Sequence, residues 1–334
     1  MDLKDDMTKP VTPIPPAHDP IAADLSPADD RVLLSHWLPP QSGVIPRIRI
    51  GRHWINVLWA LPIAFVALVS GVAIAQALRE LPAVQDFLVR YPGAPPSARN
   101  VNAGFPAWIR VQHFLNLLFM TFIIRSGLQV LADHPRLYWK RDCTPGAEWF
   151  SFQKDVPTGR IWTAKDDAVT LPGWLGIPGL RHSIGLARWW HFSFGLLWIV
   201  NGIVIYALLF WTGQWVRIVP TTWEVFPNAA STALQYLSLT FPADESWSHY
   251  NSLQQLFYFI TVFIAAPTSI ITGFMQGPAI SNRLGWLGRI LNRQLMRSIH
   301  FLAMWWFLLF ILAHVTLVFI RRTRQPEHDV GRSK

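Results

Sequence analysis

The sequence predicts an all-α membrane protein with five transmembrane helices, four of them bundled around an interior site. Three observations carry this expectation. Hydrophobic residues make up 51% of the chain and charged ones only 15%, with 18 Trp among 334 residues. That composition suits membrane–water interfaces better than a soluble domain. Five segments are apolar for long enough to cross about 30 Å of hydrocarbon. Finally, His300 and His314 both lie on Ser298–Ile320, which has no Asp, Glu, Lys or Arg, and imidazole inside a bilayer marks a site by default.

Taken in order, residues 1–46 are polar, partly acidic and proline-rich, and read as a disordered tail without a cleavable signal peptide. The transmembrane domain is expected over 47–325, with spans at about 54–78, 107–131, 189–213, 251–275 and 298–320, and a short tail over 326–334. Pro62 and Pro267 are candidate bends. Backbone groups in lipid must be satisfied within the segment, so each span is a helix. The connection 132–188, with its Asp, Lys, Pro and Gly, is expected to pack as a small cap outside the membrane.

The net charge of +9 does not point to nucleic acid, because the arginines flank apolar segments, as positive-inside topology requires. The Lys and Arg count near the span ends puts the N-terminus in the cytoplasm. Cys143 is the sole cysteine. An intrachain disulfide, an iron–sulfur cluster held by this chain alone and haem attachment through paired cysteines are therefore excluded.

His300 and His314 are fourteen residues apart. They return to nearly one helix face about 21 Å apart along the axis, one toward each leaflet. His53, His113 and His191 each lie near the start of an expected span. With five alternating spans, His53, His191 and His300 share one membrane side, and His113 and His314 share the other. His113 would then pair with His314, and His300 with His191 or His53. Two imidazoles from different helices are how a bundle grips haem in its core, so two stacked bis-histidine haems are expected.

Arg110, Arg188 and Arg297 each precede a histidine by three residues, a near-neighbour spacing on a helix. Guanidinium there suits haem propionates. His53 has Arg52 beside it instead, which favours His191 as the partner of His300. His18, His36, His134, His182, His249 and His328 fall in tails or loops and read as ordinary surface histidines.

Several pieces of the last four spans resemble the bacterial di-haem cytochrome b subunits that anchor formate dehydrogenases, nickel-iron hydrogenases and thiosulfate reductase-type enzymes. They are His113 with Ser126-Gly127, Trp190-His191-Phe192-Ser193-Phe194-Gly195, Tyr250-Asn251 with Gln254, and the His300/His314 helix. The resemblance implies His113, His191, His300 and His314 as axial ligands of two haem b, and a multi-pass protein of the bacterial inner membrane. It also implies electron carriage in a respiratory chain between exchangeable quinone and a partner oxidoreductase subunit. It makes the first span an addition, whose Arg52-His53-Trp54 looks like a second copy of the opening motif. It would also place the C-terminus in the cytoplasm, which five spans cannot reconcile with the charge count. Ala132-Asp133-His134-Pro135 through Cys143-Thr144-Pro145-Gly146 resembles the branch paired with a molybdopterin-dependent protein. The rival readings are a proton-coupled transporter using the histidines, which lacks membrane-embedded acids, and a haem-poor anchor of an oxidoreductase.

Overall fold

The computed structural model describes residues 45–94, 105–143, 147–152, 167–178, 184–240, 250–277 and 292–324, with side chains to 320. The expected tail over 1–46, apart from residues 45 and 46, and that over 326–334 lie outside these residues, as do His18, His36, His182, His249, His328 and Thr144-Pro145-Gly146.

Five helices are long and apolar enough to cross a membrane: Val57–Arg79, Ala107–Asp133, Ile184–Trp211, Ser252–Met275 and Arg293–Ile320. The first contains helix α1 (Ala60–Arg79), entered through a 3-10 turn over Val57–Trp59 that the Asn56 side chain caps at Leu58 N. It starts later than the sequence suggests because Arg47–Ile50 (β1) and His53–Asn56 (β2) form an antiparallel hairpin. Ile48, Ile50 and Ile55 favour extended backbone, and Gly51 (φ 62°) turns the chain. His53 therefore sits exposed on a strand, outside any span.

Helices α3 (Ala107–Asp133) and α4 (Ile184–Trp211) pack side by side, following α2 (Pro82–Arg90), a short helix after α1. A further short helix, α5 (Val225–Leu237), precedes the fourth span, and α1 leans on it through Gly71 and Leu237. The fourth span is α6 (Ser252–Phe259), a π-helical turn (Ile260–Ala265) and α7 (Ala266–Met275). The expected bend at Pro267 thus takes the form of a π-turn just before it. Proline has no N–H to donate, and such a turn absorbs the loss; Tyr206 donates its hydroxyl to the Val262 carbonyl (2.5 Å) beside it. The Tyr250-Asn251 and Gln254 piece is a helix start, with Asn251 and Gln254 forming a reciprocal capping box. The last helix, α8, runs Arg293–Arg324.

The described parts of 132–188 form a cap over one end of the bundle. β3 (Phe150–Ser151) adds to β1 and gives a three-stranded sheet. Leu137, Phe150, Phe152 and Val169 are buried with Ala132 of α3 and Phe301 of α8. At the centre Arg136, itself buried, bonds Asp167 through two nitrogens and Glu148 through a third (2.5 Å). Ser298, fully buried, accepts from Trp149 Nε1 (2.9 Å) and donates to the Tyr138 carbonyl (2.8 Å), so the cap is bolted to α8 two residues before His300. The Arg125 charge inside the second span is explained here as well: it donates to the Gly173 carbonyl of the cap.

Candidate functional site

The bundle brings together four of the five histidines expected to act near its interior. The rings of His113 (α3) and His314 (α8) have centroids 6.0 Å apart, and those of His191 (α4) and His300 (α8) are 6.1 Å apart. The second pair lies under the cap and the first at the far side. Heptad spacing aligns the layers between them. Phe307 is midway between His300 and His314, Trp198 is seven residues beyond His191 and Met120 seven beyond His113. Met120 and Phe307 are buried together with Trp198 packed on them, and the Trp198 indole N–H is held by Asn116 (2.9 Å).

The imidazoles under the cap rest in two matching cradles. His191 Nδ1 faces the Ile123 carbonyl (3.1 Å) and Ser126 Oγ (3.4 Å) of α3. His300 Nδ1 faces the Ser269 carbonyl (3.0 Å) and Thr272 Oγ1 (3.1 Å) of α7. Each hydroxyl also bonds a carbonyl one turn back, Ser126 to Phe122 (2.6 Å) and Thr272 to Thr268 (2.6 Å). With its only proton used there, each hydroxyl offers the imidazole lone pairs alone. A proton must therefore sit on Nδ1 of both rings, leaving Nε2 bare and able to bind a metal.

A glycine follows each hydroxyl residue. A Cβ on Gly127 would stand 3.1 Å from His191 Cε1, and one on Gly273 would stand 3.3 Å from His300 Cε1. Only a residue without a side chain lets the ring lie this close to the neighbouring helix. Ser126-Gly127 was legible in the sequence; Thr272-Gly273, with Ser269 one turn earlier, was not singled out. Its signal was a second small hydroxyl residue followed by glycine, on the helix before a histidine span. At the far side Tyr258 meets His314 Nδ1 through its hydroxyl at 3.4 Å, and Phe310 stacks on that ring (12° between planes). Tyr258 also escaped sequence reasoning.

The arginines divide. Arg110 and Arg188 are exposed, one turn outward from His113 and His191. Arg297 is half-buried and donates to the His134 carbonyl (2.7 Å) and to Gln294 (3.1 Å), so part of its donor set serves the cap. His53 approaches neither pair: it is exposed and paired with Ile50 in the hairpin. Among the described residues no cluster of three or more His, Cys, Asp or Glu could hold a bare metal ion.

These residues fit haem. Two metal–nitrogen bonds of about 2 Å each, with a ring radius added at either end, separate imidazole centroids by about 6 Å across one iron. Both pairs meet that separation. Carbonyl acceptors on Nδ1 are the usual support of a metal-bound histidine.

A helical membrane bundle with paired interior imidazoles defines the class as membrane cytochromes b. Residues 104–331 match the family described as prokaryotic cytochrome b561. That is more than half of the chain, which belongs to this family, whose cofactor is haem b. A relative is the putative protein-methionine-sulfoxide reductase subunit YedZ1 of Azospira oryzae. It is 24% identical over 230 residues, 66% of this chain and 92% of that protein. No solved structure matches the chain. The protein is a multi-pass component of the bacterial inner membrane that carries electrons.

Proposed function

We propose that this protein holds two haem b groups, one between His113 and His314 and one between His191 and His300. On this reading it passes electrons across the membrane between the quinone pool and a partner redox subunit. The observation that carries the reading is the pair of facing imidazoles at each end of one bundle, both at the separation a single iron requires. When bound, haem supplies one-electron redox chemistry, and the protein sets its spacing, potential and access. His300 and His314 place the centres about 21 Å apart along α8. Ser126, Thr272 and the Ile123 and Ser269 carbonyls hold the cap-side rings with Nε2 free. The cap packs on α3 and α8 at that end. Arg110, Arg188 and Arg297 stand one turn outward of three of the ligands, where guanidinium groups serve carboxylates such as the haem propionates.

A relative whose name makes it a putative protein-methionine-sulfoxide reductase subunit supports a partner oxidoreductase, and the resemblance of the 132–146 stretch favours a molybdopterin-dependent one. The Lys and Arg balance favours a cytoplasmic cap side; a C-terminal reporter fusion active only in the cytoplasm would reverse that orientation.

The deciding experiment is haem quantification with reduced-minus-oxidised spectra of the purified protein. Two b-type haems per chain and a reducible Soret band are expected; a colourless preparation would overturn the reading. Gly127→Leu offers a narrower check. Its side chain would occupy the space of His191, so one haem should be lost while the far-side haem remains. A variant keeping both haems with an unchanged spectrum would show that the cradle does not position the ligand.

A further inference from the structure

Every ligand in the proposed pairs is a histidine, yet their surroundings are unequal. Under the cap both rings direct Nδ1 at a backbone carbonyl, at 3.0 and 3.1 Å, with a hydroxyl lone pair beside each. At the far side His314 Nδ1 meets a phenol oxygen at 3.4 Å, as far as Ser126 Oγ lies from His191 Nδ1, and among the described residues it has no backbone carbonyl beside it. Among the described residues the His113 ring has no hydrogen-bond partner; it is exposed on α3.

Strong acceptors on Nδ1 draw its proton outward and make Nε2 more basic. A more basic ligand favours the ferric state and lowers the reduction potential; hydrogen bonds around the ligands are among the protein's levers on it. The cap side carries two arginines one turn from a ligand, Arg188 and Arg297, and the far side one, Arg110; Arg297 commits donors to the His134 carbonyl and Gln294, which narrows that imbalance. Both pairs also lie in one apolar bundle. The pairs differ in exposure, His113 being exposed, and in their Nδ1 partners, which act on the ligand nitrogens directly.

Resting on the two-haem reading above, we infer that Ser126 and Thr272 are positioning residues. Through Nδ1 of His191 and His300 they make the cap-side centre the lower-potential one. The downhill direction for electrons then runs from the cap side to the far side. The device needs no charged group: it uses two backbone carbonyls on adjoining helices, two hydroxyls and two glycines that admit the rings. In a membrane span a carboxylate doing the same work would carry a heavy desolvation cost.

The test is redox potentiometry of the purified full-length protein, followed in the α band. Wild type should titrate as two centres of distinct potential. His314→Ala should keep only the lower one and His300→Ala only the higher. Thr272→Val keeps the β-branched shape but removes the acceptor, and should move the lower potential upward while leaving the upper in place. Ser126→Ala should act in the same direction, Thr272→Ser should restore the wild-type value, and Tyr258→Phe should disturb only the upper centre. The inference is overturned if His314→Ala retains the higher potential, if the two centres titrate together, or if Thr272→Val moves the upper centre or neither. A preparation with fewer than two haems instead defeats the reading beneath it, and spectra taken before any titration reveal which has failed.

Discussion

His314→Ala is expected to lower the haem content from two per chain to one, and His113→Ala to give the same spectrum, because the two rings face each other across one site. His191→Ala and His300→Ala should form a second matched set, losing the haem under the cap. Pairwise equivalence is the sharp part of this prediction. A haem gripped by two imidazoles from different helices loses half of its axial ligation when either is removed, and alanine offers no donor in its place. His53→Ala should leave both haems intact, since that side chain is exposed on a strand outside the bundle. Haem-to-protein ratios of the six proteins, wild type included, decide the matter. Loss of haem in His53→Ala would reassign a ligand, and a mismatch within either set would break the pairing.

Arg136→Ala should destabilise the cap by about 3–5 kcal/mol, the usual result of removing one partner from a buried ion pair and stranding the other. Here two carboxylates, Asp167 and Glu148, both almost fully buried, would lose their guanidinium partner. Burial is the largest single influence and lowers the Arg136 pKa, but Asp167 and Glu148 together outweigh it and hold it above its ordinary value, so the guanidinium is charged at any ordinary pH. The cap is fixed to α8 through Ser298, next to His300. The loss should therefore appear as faster proteolysis of the 132–178 region and a lower melting temperature, with the cap-side haem escaping before the far-side one. Alkali should weaken the same region. Burial, then the neighbouring Glu148, pushes the Tyr138 phenol up to about 12 from 10.0. Its folded-state pKa is raised, so its contribution is complete below pH 10.0 and is lost as pH rises toward about 12. Melting curves of the detergent-solubilised protein across that range check the sign. An Arg136→Ala cap as protease-resistant as wild type would mean the network contributes little.

Much of this was legible in the chain because a bilayer imposes one-dimensional constraints. Span length, the absence of charge and alternation of sides fixed five helices and sorted His113, His191, His300 and His314 into two levels. The three-residue Arg–His spacing pointed to His191 rather than His53, and the structure brings His191 and His300 together. The hairpin holding His53 was missed because an apolar run continuous with Trp54 and Ile55 reads as more helix. A four-residue strand becomes visible only when β3, about a hundred residues later, pairs with it.

The pattern of histidines along the helices needed no three-dimensional information, since helical rise and hydrophobic thickness are properties of any such chain. The environment of each imidazole did. Which backbone carbonyl meets Nδ1, and where a missing Cβ makes room, depend on how α3 lies against α4 and α7 against α8. Such contacts join residues tens of positions apart, and they follow from side-chain shape and helix crossing rather than from local spacing.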